Sequence, residues 1–123
     1  MKVRVYYEDT DVGGVVYYAN YLKFCKRARS QLFFDKGMSP HNGDEFFVIK
    51  HVDADYIKSA VFGDVLDVTC KLVEKKAASV TMYQEVLRDG EVLFKGNFKL
   101  AFLKDFKPTR IPKNILEVFQ EEN

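Results

Sequence analysis

Both the fold and the chemistry of this chain are indicated by residues 6–21, which read YYEDTDVGGVVYYANY. A strand-like run over residues 3–7 breaks into an acidic turn and two glycines, and a helical pattern follows. Asp11 is therefore expected on a loop beside a helix N-terminus, where free backbone N–H groups can stabilise an oxyanion. A hydrolase that acts on an acyl carbonyl needs both groups together, a carboxylate as nucleophile or base and donors for the carbonyl oxygen.

The residues around Asp11 allow other interpretations of the same loop. Aspartate is also favoured as a cap for turns and helices. The Gly13-Gly14 pair, however, lets a ligand approach the backbone closely as well as allowing a tight turn. Glu8 and Asp9 are expected to be solvated or turn-forming, because alternation would point neighbouring strand side chains to opposite faces.

Length and composition predict an ordinary globular protein. The 123 residues are expected to form one domain, residues 1–123, large enough for a hydrophobic core. A net charge of +1 argues against a dedicated nucleic-acid-binding protein, which needs a basic face. Residues 1–5 are already strand-like, so no signal peptide is expected, and no run of about 18 apolar residues predicts a transmembrane helix.

The cysteines and histidines indicate no cofactor. Cys25 and Cys70 are expected on core faces as free thiols of a cytoplasmic protein, with a disulfide or a redox pair as the alternative. His41 and His51 are isolated and no Cys-x-x-Cys occurs, so no metal site is expected. The serines lack a Gly-x-Ser-x-Gly context, and no glycine-rich phosphate loop is present.

Hydrophobic periodicity predicts one strand, a long helix and then a run of strands. The helix is expected over residues 18–36, where apolar residues recur every three or four positions and Gly37 follows as a stop. Asp89-Gly90 predicts a tight hairpin turn. Period-two patterns predict the strands, and a short helix closes the chain: strands 3–8, 45–59, 65–74, 79–88 and 91–104, helix 111–120. This order predicts an α+β fold in which a curved five-stranded antiparallel sheet wraps a long central helix, the hot-dog arrangement.

One motif carries a family resemblance. The run YEDTDxGGVVYYANY over residues 7–21 is followed by Arg-Ala-Arg at residues 27–29. Weaker matches are Phe-Gly-Asp at residues 62–64 and the basic, proline-containing residues 107–112. With these motifs, the chain resembles the hydroxybenzoyl-CoA thioesterase-like hot-dog family over most of its length. It resembles most the Tol-Pal-associated acyl-CoA thioesterase branch.

The resemblance implies hydrolysis of an acyl-CoA thioester. It implies a homodimer as the minimal active unit, commonly assembled into a homotetramer. The family's catalytic aspartate falls on Asp11, its upstream active-site tyrosine on Tyr7, and its backbone oxyanion donor on Tyr18.

Substrate contacts are expected from two groups of residues. The glycine loop allows a close approach of the backbone, and a basic group in loops could hold the CoA phosphates, since lysine acts as a point charge for phosphate. A solvated hairpin end is the alternative for the basic group. The expected substrate-binding residues are Gly13, Gly14 and Val15 in the loop, and Lys75, Lys76 and Arg110 in the basic group.

Two positions depart from the branch that the chain resembles. The branch usually carries histidine where this chain has Tyr18, and often glutamate where this chain has Lys26. A backbone oxyanion donor tolerates the first change, whereas a histidine side chain acting as acid or base would be missed. The leading alternative is therefore a non-catalytic hot-dog module that binds acyl chains or acyl carrier protein. A dehydratase is disfavoured, because no histidine lies near the glycine motif or in the long helix.

Overall fold

The computed structural model describes residues 1–120. It contains two α-helices, α1 and α2, a single 3-10 turn at Tyr7–Asp9, and eight strands. In chain order the elements are β1 (Lys2–Arg4), α1 (Tyr18–Asp35), β2 (His41–Asn42), β3 (Glu45–Tyr56), β4 (Val65–Val68), β5 (Lys71–Lys75), β6 (Ser79–Arg88), β7 (Glu91–Lys104), β8 (Lys107–Pro108) and α2 (Lys113–Gln120). Within residues 1–120 neither helix has the length and apolarity that spanning a bilayer requires.

The strands form one antiparallel sheet in the order β1-β4-β6-β7-β3-β2, with β5 paired to β6 and β8 paired to β7. The α+β hot-dog architecture predicted from the sequence is confirmed, but the sheet has eight strands where five were predicted. Two of the additional strands, β2 and β8, have only two residues each. The third arises because the strand predicted over residues 65–74 is divided into β4 and β5.

Helix α1 packs one apolar face against this sheet. Its buried side chains recur at helical spacing and include Tyr21, Phe24, Cys25 and Ala28. They pack on alternate residues of the central strands, which contribute fully buried phenylalanines to the same core. Each fully buried phenylalanine side chain contributes about 1.5–3 kcal/mol to the free energy of folding through burial. The helix ends one residue before the predicted end, and Gly37 follows at φ +71°, as expected of a C-terminal stop.

The strand predicted over residues 3–8 is wrong beyond Arg4. Residues 7–9 instead form the 3-10 turn, because the Asp9 carboxylate accepts a hydrogen bond from the Tyr6 N–H at 2.9 Å. The expectation that Asp9 is solvated is also wrong, since the residue is 6% exposed, whereas its alternative role as a turn former is confirmed. A local hydrogen bond from the backbone to the Asp9 side chain thus takes the place of the backbone pairing that would extend β1.

The break between β4 and β5 has a similar cause. The Thr69 N–H donates to the Glu85 carbonyl at 2.9 Å, and the Thr69 hydroxyl accepts the Glu85 N–H at 2.9 Å. A threonine hydroxyl thus takes the place of a strand carbonyl at this position. The next hairpin matches its prediction, because Asp89 and Gly90 both have positive φ, 50° and 82°, as a two-residue primed turn requires.

Strand β3 keeps an open edge along most of its length. One side of β3 pairs with β7 along the strand, apart from a register shift at Lys50. On the other side β2 covers only Glu45 and Phe46. Among the described residues, no strand pairs with the remaining edge, from Phe47 to Tyr56. Long unpaired edges are a template for pairing with another strand, so this edge bears on assembly.

Candidate active site

The loop over residues 10–16 holds the Asp11 carboxylate in a closed turn. The Asp11 N–H donates to the Val15 carbonyl at 2.9 Å, and the Gly14 N–H donates to the Asp11 carbonyl at 3.0 Å. One carboxylate oxygen, Oδ1, accepts the Gly13 N–H at 2.8 Å and the Val15 N–H at 3.4 Å. Gly14 has φ +78°, a backbone conformation that residues with a side chain adopt only with strain. Within residues 1–120 the other oxygen, Oδ2, has no hydrogen-bond partner, and it is free to act on a ligand.

The helix that follows begins without a side-chain cap. Tyr17 occupies the N-cap position and makes no side-chain capping hydrogen bond. Its own N–H donates to the Asp9 carbonyl at 3.1 Å, and the Asn20 N–H donates to the Tyr17 carbonyl at 2.9 Å. The N–H groups of Tyr18 and Ala19 lie between these two and have no acceptor inside the helix. They form a positive helix terminus beside the loop.

A cavity of about 410 Å³ brings the loop and the helix terminus together; we call it the Asp11 cavity. Its wall is completed by the end of β3 and the residues after it, and the lining residues are Asp11, Val15, Val16, Tyr17, Tyr18, Tyr21, Tyr56, Ile57, Lys58 and Ser59. The Tyr56 hydroxyl donates to the Tyr18 carbonyl at 3.3 Å, so β3 is tied directly to the first turn of α1. The cavity therefore contains a carboxylate, free helix N–H groups and an aromatic wall.

Tyr21 and Tyr56 in this wall remain protonated at neutral pH. Burial raises the pKa of Tyr21, although the hydrogen bond from the Ala60 N–H to its hydroxyl opposes that effect. Burial also raises the pKa of Tyr56. Lys58 forms an ion pair with Glu91 and is not free to balance a second carboxylate. Among the lining residues Asp11 is the one carboxylate, so it is the group that can supply a negative nucleophile or base.

A buried hydrogen bond fixes the helix against the turn before it. The Asn20 side-chain amide donates to Asp9 Oδ1 at 2.9 Å, while Asp9 Oδ2 accepts the Tyr6 N–H. Both ends of the 10–16 loop are thus anchored by Asp9: its side chain holds the turn before the loop, and its carbonyl accepts the Tyr17 N–H after it. The position of Asp11 relative to the helix terminus depends on this anchor.

The structure places the predicted catalytic residues unequally. Asp11 and Tyr18 line the same cavity, as does Val15. Gly13 and Gly14 shape the loop rather than the cavity wall. Tyr7 does not line the cavity: its ring is 80% exposed and packs edge-on against Phe62, with 5.8 Å between the ring centroids.

The predicted phosphate-binding residues lie at the other end of the sheet. Lys75 on β5 lies level with Ile49 on β3, because the residues paired across the sheet at this level are Lys75, Val80, Leu100 and Ile49. The Asp11 cavity is reached about seven residues later along β3, roughly 20 Å away at the usual rise per residue. Arg110 lies near the two lysines, since the N–H of the residue after it donates to the Ala77 carbonyl at 2.8 Å.

The lining residues that were not predicted from the sequence include Tyr21, Tyr56, Lys58 and Ser59. Tyr21 lay within the motif but was expected only as a core residue of the helix. The other three lie at the end of β3 or just after it, more than thirty residues from the motif. These three residues lie close to the motif only because of the way β3 pairs in the sheet, and a local sequence pattern does not predict that pairing.

The fold and the cavity define a hot-dog protein of the thioesterase class. Residues 5–119 match the family model of the thioesterase-like superfamily, and the chain belongs to that superfamily. It is 37% identical to acyl-CoA thioesterase YbgC of Helicobacter pylori (strain 26695), over 96% of this chain and 97% of that one. It is 38% identical to acyl-CoA thioesterase YbgC of Haemophilus influenzae, over 95% of this chain and 90% of that one. The crystal structure of a probable thioesterase from Bartonella henselae is 30% identical, with a TM-score of 0.84 over 91% of this chain and 97% of that one.

Proposed function

We propose that this protein is an acyl-CoA thioesterase whose reaction takes place in the Asp11 cavity. The observation that carries the proposal is that the free Asp11 oxygen and the uncapped N-terminus of α1 open on one cavity. The names of the Helicobacter pylori and Haemophilus influenzae relatives support the same substrate class. The products are a free carboxylic acid and CoA.

In this mechanism the thioester carbonyl lies against the first turn of α1. The Tyr18 N–H and the helix dipole stabilise the negative charge that develops on the carbonyl oxygen. Asp11 acts by one of two routes. As a nucleophile it forms an acyl–aspartyl anhydride and releases the thiolate, and water then hydrolyses the anhydride. As a general base it takes a proton from water, whose oxygen attacks the carbonyl directly; the C–S bond then breaks, and the leaving thiolate takes up the proton from Asp11.

The Tyr18 side chain is not needed in either route, because the polarising group is the backbone N–H. A backbone donor therefore tolerates tyrosine at position 18, where the branch that this chain resembles usually has histidine. The same departure is the observation that favours the second candidate, a module that binds acyl thioesters without turnover. Acyl carrier protein is a candidate partner under both functions, since it presents the same kind of pantetheine-linked thioester as CoA.

The open edge of β3 supports a homodimer, which can pair further into a homotetramer. Antiparallel pairing of two β3 edges about a two-fold axis extends the sheet across both subunits. The end of β3 at Tyr56 then lies beside the start of β3 in the partner. Lys75, Lys76 and Arg110 lie near that start within each chain, so pairing carries one subunit's basic group toward the other subunit's Asp11 cavity. This arrangement reconciles a phosphate-binding role for the three cations with their distance from Asp11.

The proposed function is tested with Asp11→Asn in a thiol-release assay using acyl-CoAs of several chain lengths. Asparagine keeps the oxygen that accepts the Gly13 N–H, so the loop is expected to stay folded. We expect kcat/KM to fall by at least about 100-fold, which corresponds to roughly 2.7 kcal/mol of barrier. Glu8→Gln is the matched control, because it removes an exposed carboxylate three residues away and is expected to retain activity.

Turnover near the parent level in Asp11→Asn would exclude Asp11 as the catalytic carboxylate. Binding of acyl-CoA without thiol release by the parent protein, at every chain length, would instead establish the non-catalytic module.

A further inference from the structure

A groove on the outside of the molecule carries basic side chains that the proposed reaction does not use. It lies between β1 and α1 and has a volume of about 720 Å³; we call it the β1–α1 groove. Among its lining residues, which all belong to the described part of the chain, there is no aspartate or glutamate. The basic residues that line it are Lys2, Arg4, Lys23, Lys26 and Arg27. In a chain with 19 basic and 18 acidic residues, walls of one sign create a local field that attracts anions.

The helical wall of this groove faces directly away from the sheet. Lys23, Arg27 and Phe34 are exposed, whereas the buried residues of α1 lie on the other side of the helix. At about 100° per residue, Lys23 points roughly 200° away from Tyr21, and Phe34 points roughly 220° away from it. A partner that approaches the helix side of the molecule therefore meets this exposed stripe.

The cations on α1 are not neutralised by the chain itself. Within residues 1–120 no carboxylate forms an ion pair with Lys23, Lys26 or Arg27. Lys23 precedes Lys26 by three residues and Arg27 by four, the spacings at which side chains on a helix are neighbours. Like charges at these spacings destabilise a helix, so an anionic partner on this face relieves a repulsion that the chain leaves in place.

The cations on β1 are only weakly engaged. Lys2 forms an ion pair with Asp67 at 2.8 Å, but both side chains are exposed, and such pairs contribute little to stability. Arg4 donates from Nη1 to the Gly63 carbonyl at 3.0 Å, and that acceptor is neutral. Both walls of the groove therefore present positive charge to a ligand.

Two exposed aromatic rings lie in the same groove. Tyr6 is 63% exposed and Phe34 is 56% exposed. Exposed rings beside cations favour the interface of an anionic bilayer, because the cations attract lipid phosphates and the rings enter the layer between headgroups and acyl chains. A free phosphate ion would use the charges but not the rings, so the combination favours a lipid surface.

The β1–α1 groove is separate from the parts of the molecule assigned to the thioester. It shares no lining residue with the Asp11 cavity, and none of Lys75, Lys76 and Arg110 lines it. Within the sheet, β4, β6 and β7 lie between β1 and β3. Pairing of two β3 edges therefore leaves β1 at the far edge of each subunit, away from the Asp11 cavity of the partner.

The pairing of β3 edges also favours a flat surface over a single acidic segment. A two-fold axis that joins two antiparallel edge strands into one sheet runs perpendicular to that sheet, so both α1 helices lie on the same side of it. Both grooves then open toward one plane, and a bilayer that contacts them together gains avidity. This step rests on the proposed dimer. A monomer would lose the avidity but keep the same groove and the same dependence on its cations.

We propose that the β1–α1 groove is a docking surface for a bilayer that contains anionic lipids. Arg4, Lys23 and Arg27 contact the lipid phosphates, and the rings of Tyr6 and Phe34 enter the interfacial layer. The contact is peripheral, and no segment of the chain crosses the bilayer in it.

The proposal is tested by sedimentation of the protein with vesicles of phosphatidylcholine that contain about 30% phosphatidylglycerol. Vesicles of phosphatidylcholine alone are expected to bind far less protein. Binding to the anionic vesicles is expected to fall steeply between about 0.05 M and about 0.5 M salt, because salt screens exposed charges. Lys23→Gln with Arg27→Gln is expected to weaken this binding by at least about 30-fold, since each basic residue near such a surface contributes a factor of about five.

Lys71→Gln with Lys95→Gln is the matched control. It removes the same net charge from exposed lysines on β5 and β7, outside the groove, and is expected to bind anionic vesicles like the parent. Circular dichroism of both double variants checks that the fold is retained. Equal weakening in the two variants would show attraction by net charge alone and would overturn the proposal.

A fluorescent reporter tests the location of the contact without removing any charge. The chain contains no tryptophan, so Phe34→Trp introduces a single indole into the groove. Its emission is expected to shift to shorter wavelength on anionic vesicles and to stay unchanged with phosphatidylcholine alone. Phe106→Trp, at a position that is 79% exposed and outside the groove, is the control and is expected to show no shift.

Three other occupants of the groove would each overturn bilayer docking. If the emission of Phe34→Trp without vesicles is already that of a buried indole, a second copy of the chain covers the groove. If soluble polyglutamate binds with the same dependence on Lys23 and Arg27 while anionic vesicles do not bind, the groove serves an acidic protein. If free CoA displaces the protein from vesicles where sodium sulfate of equal charge does not, the groove holds the nucleotide.

None of these measurements requires turnover, so failure of the thioesterase proposal leaves them interpretable. Equal binding of the parent protein to anionic and neutral vesicles, or no shift of the Phe34→Trp emission on anionic vesicles, would reject the docking surface whatever the reaction.

Discussion

Asp9 and Asp11 are two residues apart and have opposite environments. Asp9 is buried, and both of its carboxylate oxygens accept hydrogen bonds, from the Tyr6 N–H and from the Asn20 amide. Asp11 is exposed, and one of its oxygens has no partner within residues 1–120. A carboxylate whose oxygens are both engaged fixes structure, whereas one with a free oxygen can react. This difference supports a structural role for Asp9 and the proposed chemical role of Asp11.

The structural role of Asp9 predicts a loss of stability in Asp9→Ala. The substitution leaves the Tyr6 N–H and the buried Asn20 amide without acceptors, which costs about 1–3 kcal/mol for each group left unsatisfied. Urea unfolding should therefore show a clearly lower free energy of unfolding. Glu8→Ala, at the exposed neighbouring position, is expected to change it by less than about 0.5 kcal/mol. Equal stabilities for the two variants would contradict the anchoring role.

The sequence predicted Asp11 as the candidate carboxylate because turn chemistry and the two glycines are local signals. The burial of Asp9 was not predictable in the same way. It depends on Asn20, eleven residues later, turning its amide back toward the 3-10 turn. The contact of Tyr56 with Tyr18 could not be predicted from local sequence either. These two residues meet only because of the way β3 pairs in the sheet.

At the scale of elements, a charged contact at Asp64 helps to hold the connection from β3 to β4. Asp64 Oδ2 accepts the Val61 N–H at 2.9 Å and the Arg88 guanidinium at 2.8 Å. This joins the turn after β3 to the end of β6, and the same turn supplies the Ala60 carbonyl that accepts the Val16 N–H. The Asp11 loop is therefore braced by this connection. Burial alone would raise the pKa of Asp64, but the two hydrogen bonds and the Arg88 charge outweigh it and lower the pKa below 3.8.

The lowered pKa of Asp64 predicts a pH-dependent contribution to stability. The folded state binds the proton less tightly than the unfolded state, so the contribution is fully present above the ordinary value of 3.8. It is lost as the pH falls through the lower pKa of the folded protein. Asp64→Asn should thus be less stable than the parent at about pH 6, and the difference should shrink toward about pH 3. Asp89→Asn, in an exposed turn, serves as the control; a pH-independent difference for Asp64→Asn would contradict the prediction.

Elements with strong local signals were predicted well, and those decided by side-chain hydrogen bonds were not. The helix α1 and the Asp89-Gly90 hairpin follow from periodicity and from glycine at positive φ. The division of residues 65–74 at Thr69 does not, because alternation continues through the break. A hydroxyl that bonds to a neighbouring strand is invisible to a hydrophobic pattern.

At the scale of the whole molecule, the open edge of β3 predicts an oligomer. Its exposed apolar side chains include Val48, Ile49 and Tyr56, and its backbone groups lack a strand partner among the described residues. Light scattering at micromolar concentration is expected to give the mass of a dimer or tetramer. A monomer with full thioesterase activity would exclude both assemblies as the active unit.

The basic group and the Asp11 cavity lie at opposite ends of the sheet within each subunit, so the lysines of one subunit are expected to serve the Asp11 cavity of its partner. Lys75→Ala with Lys76→Ala is expected to raise KM for acyl-CoA several-fold with little change in kcat, and more at low salt, where screening is weaker. A truncated thioester without the nucleotide should be used equally by the double variant and the parent.

Subunits of the double variant are then co-assembled with subunits of Asp11→Asn. If each active site combines Asp11 of one subunit with the lysines of its partner, a mixed dimer contains one intact site. Random mixing should restore about a quarter of the parent's sites at the parent's KM. If both groups served the same chain's cavity, no mixed dimer would contain an intact site and the low-KM activity would stay absent. Parental KM for the double variant alone, at low salt, would place the nucleotide elsewhere and leave the lysines as a solvated hairpin end.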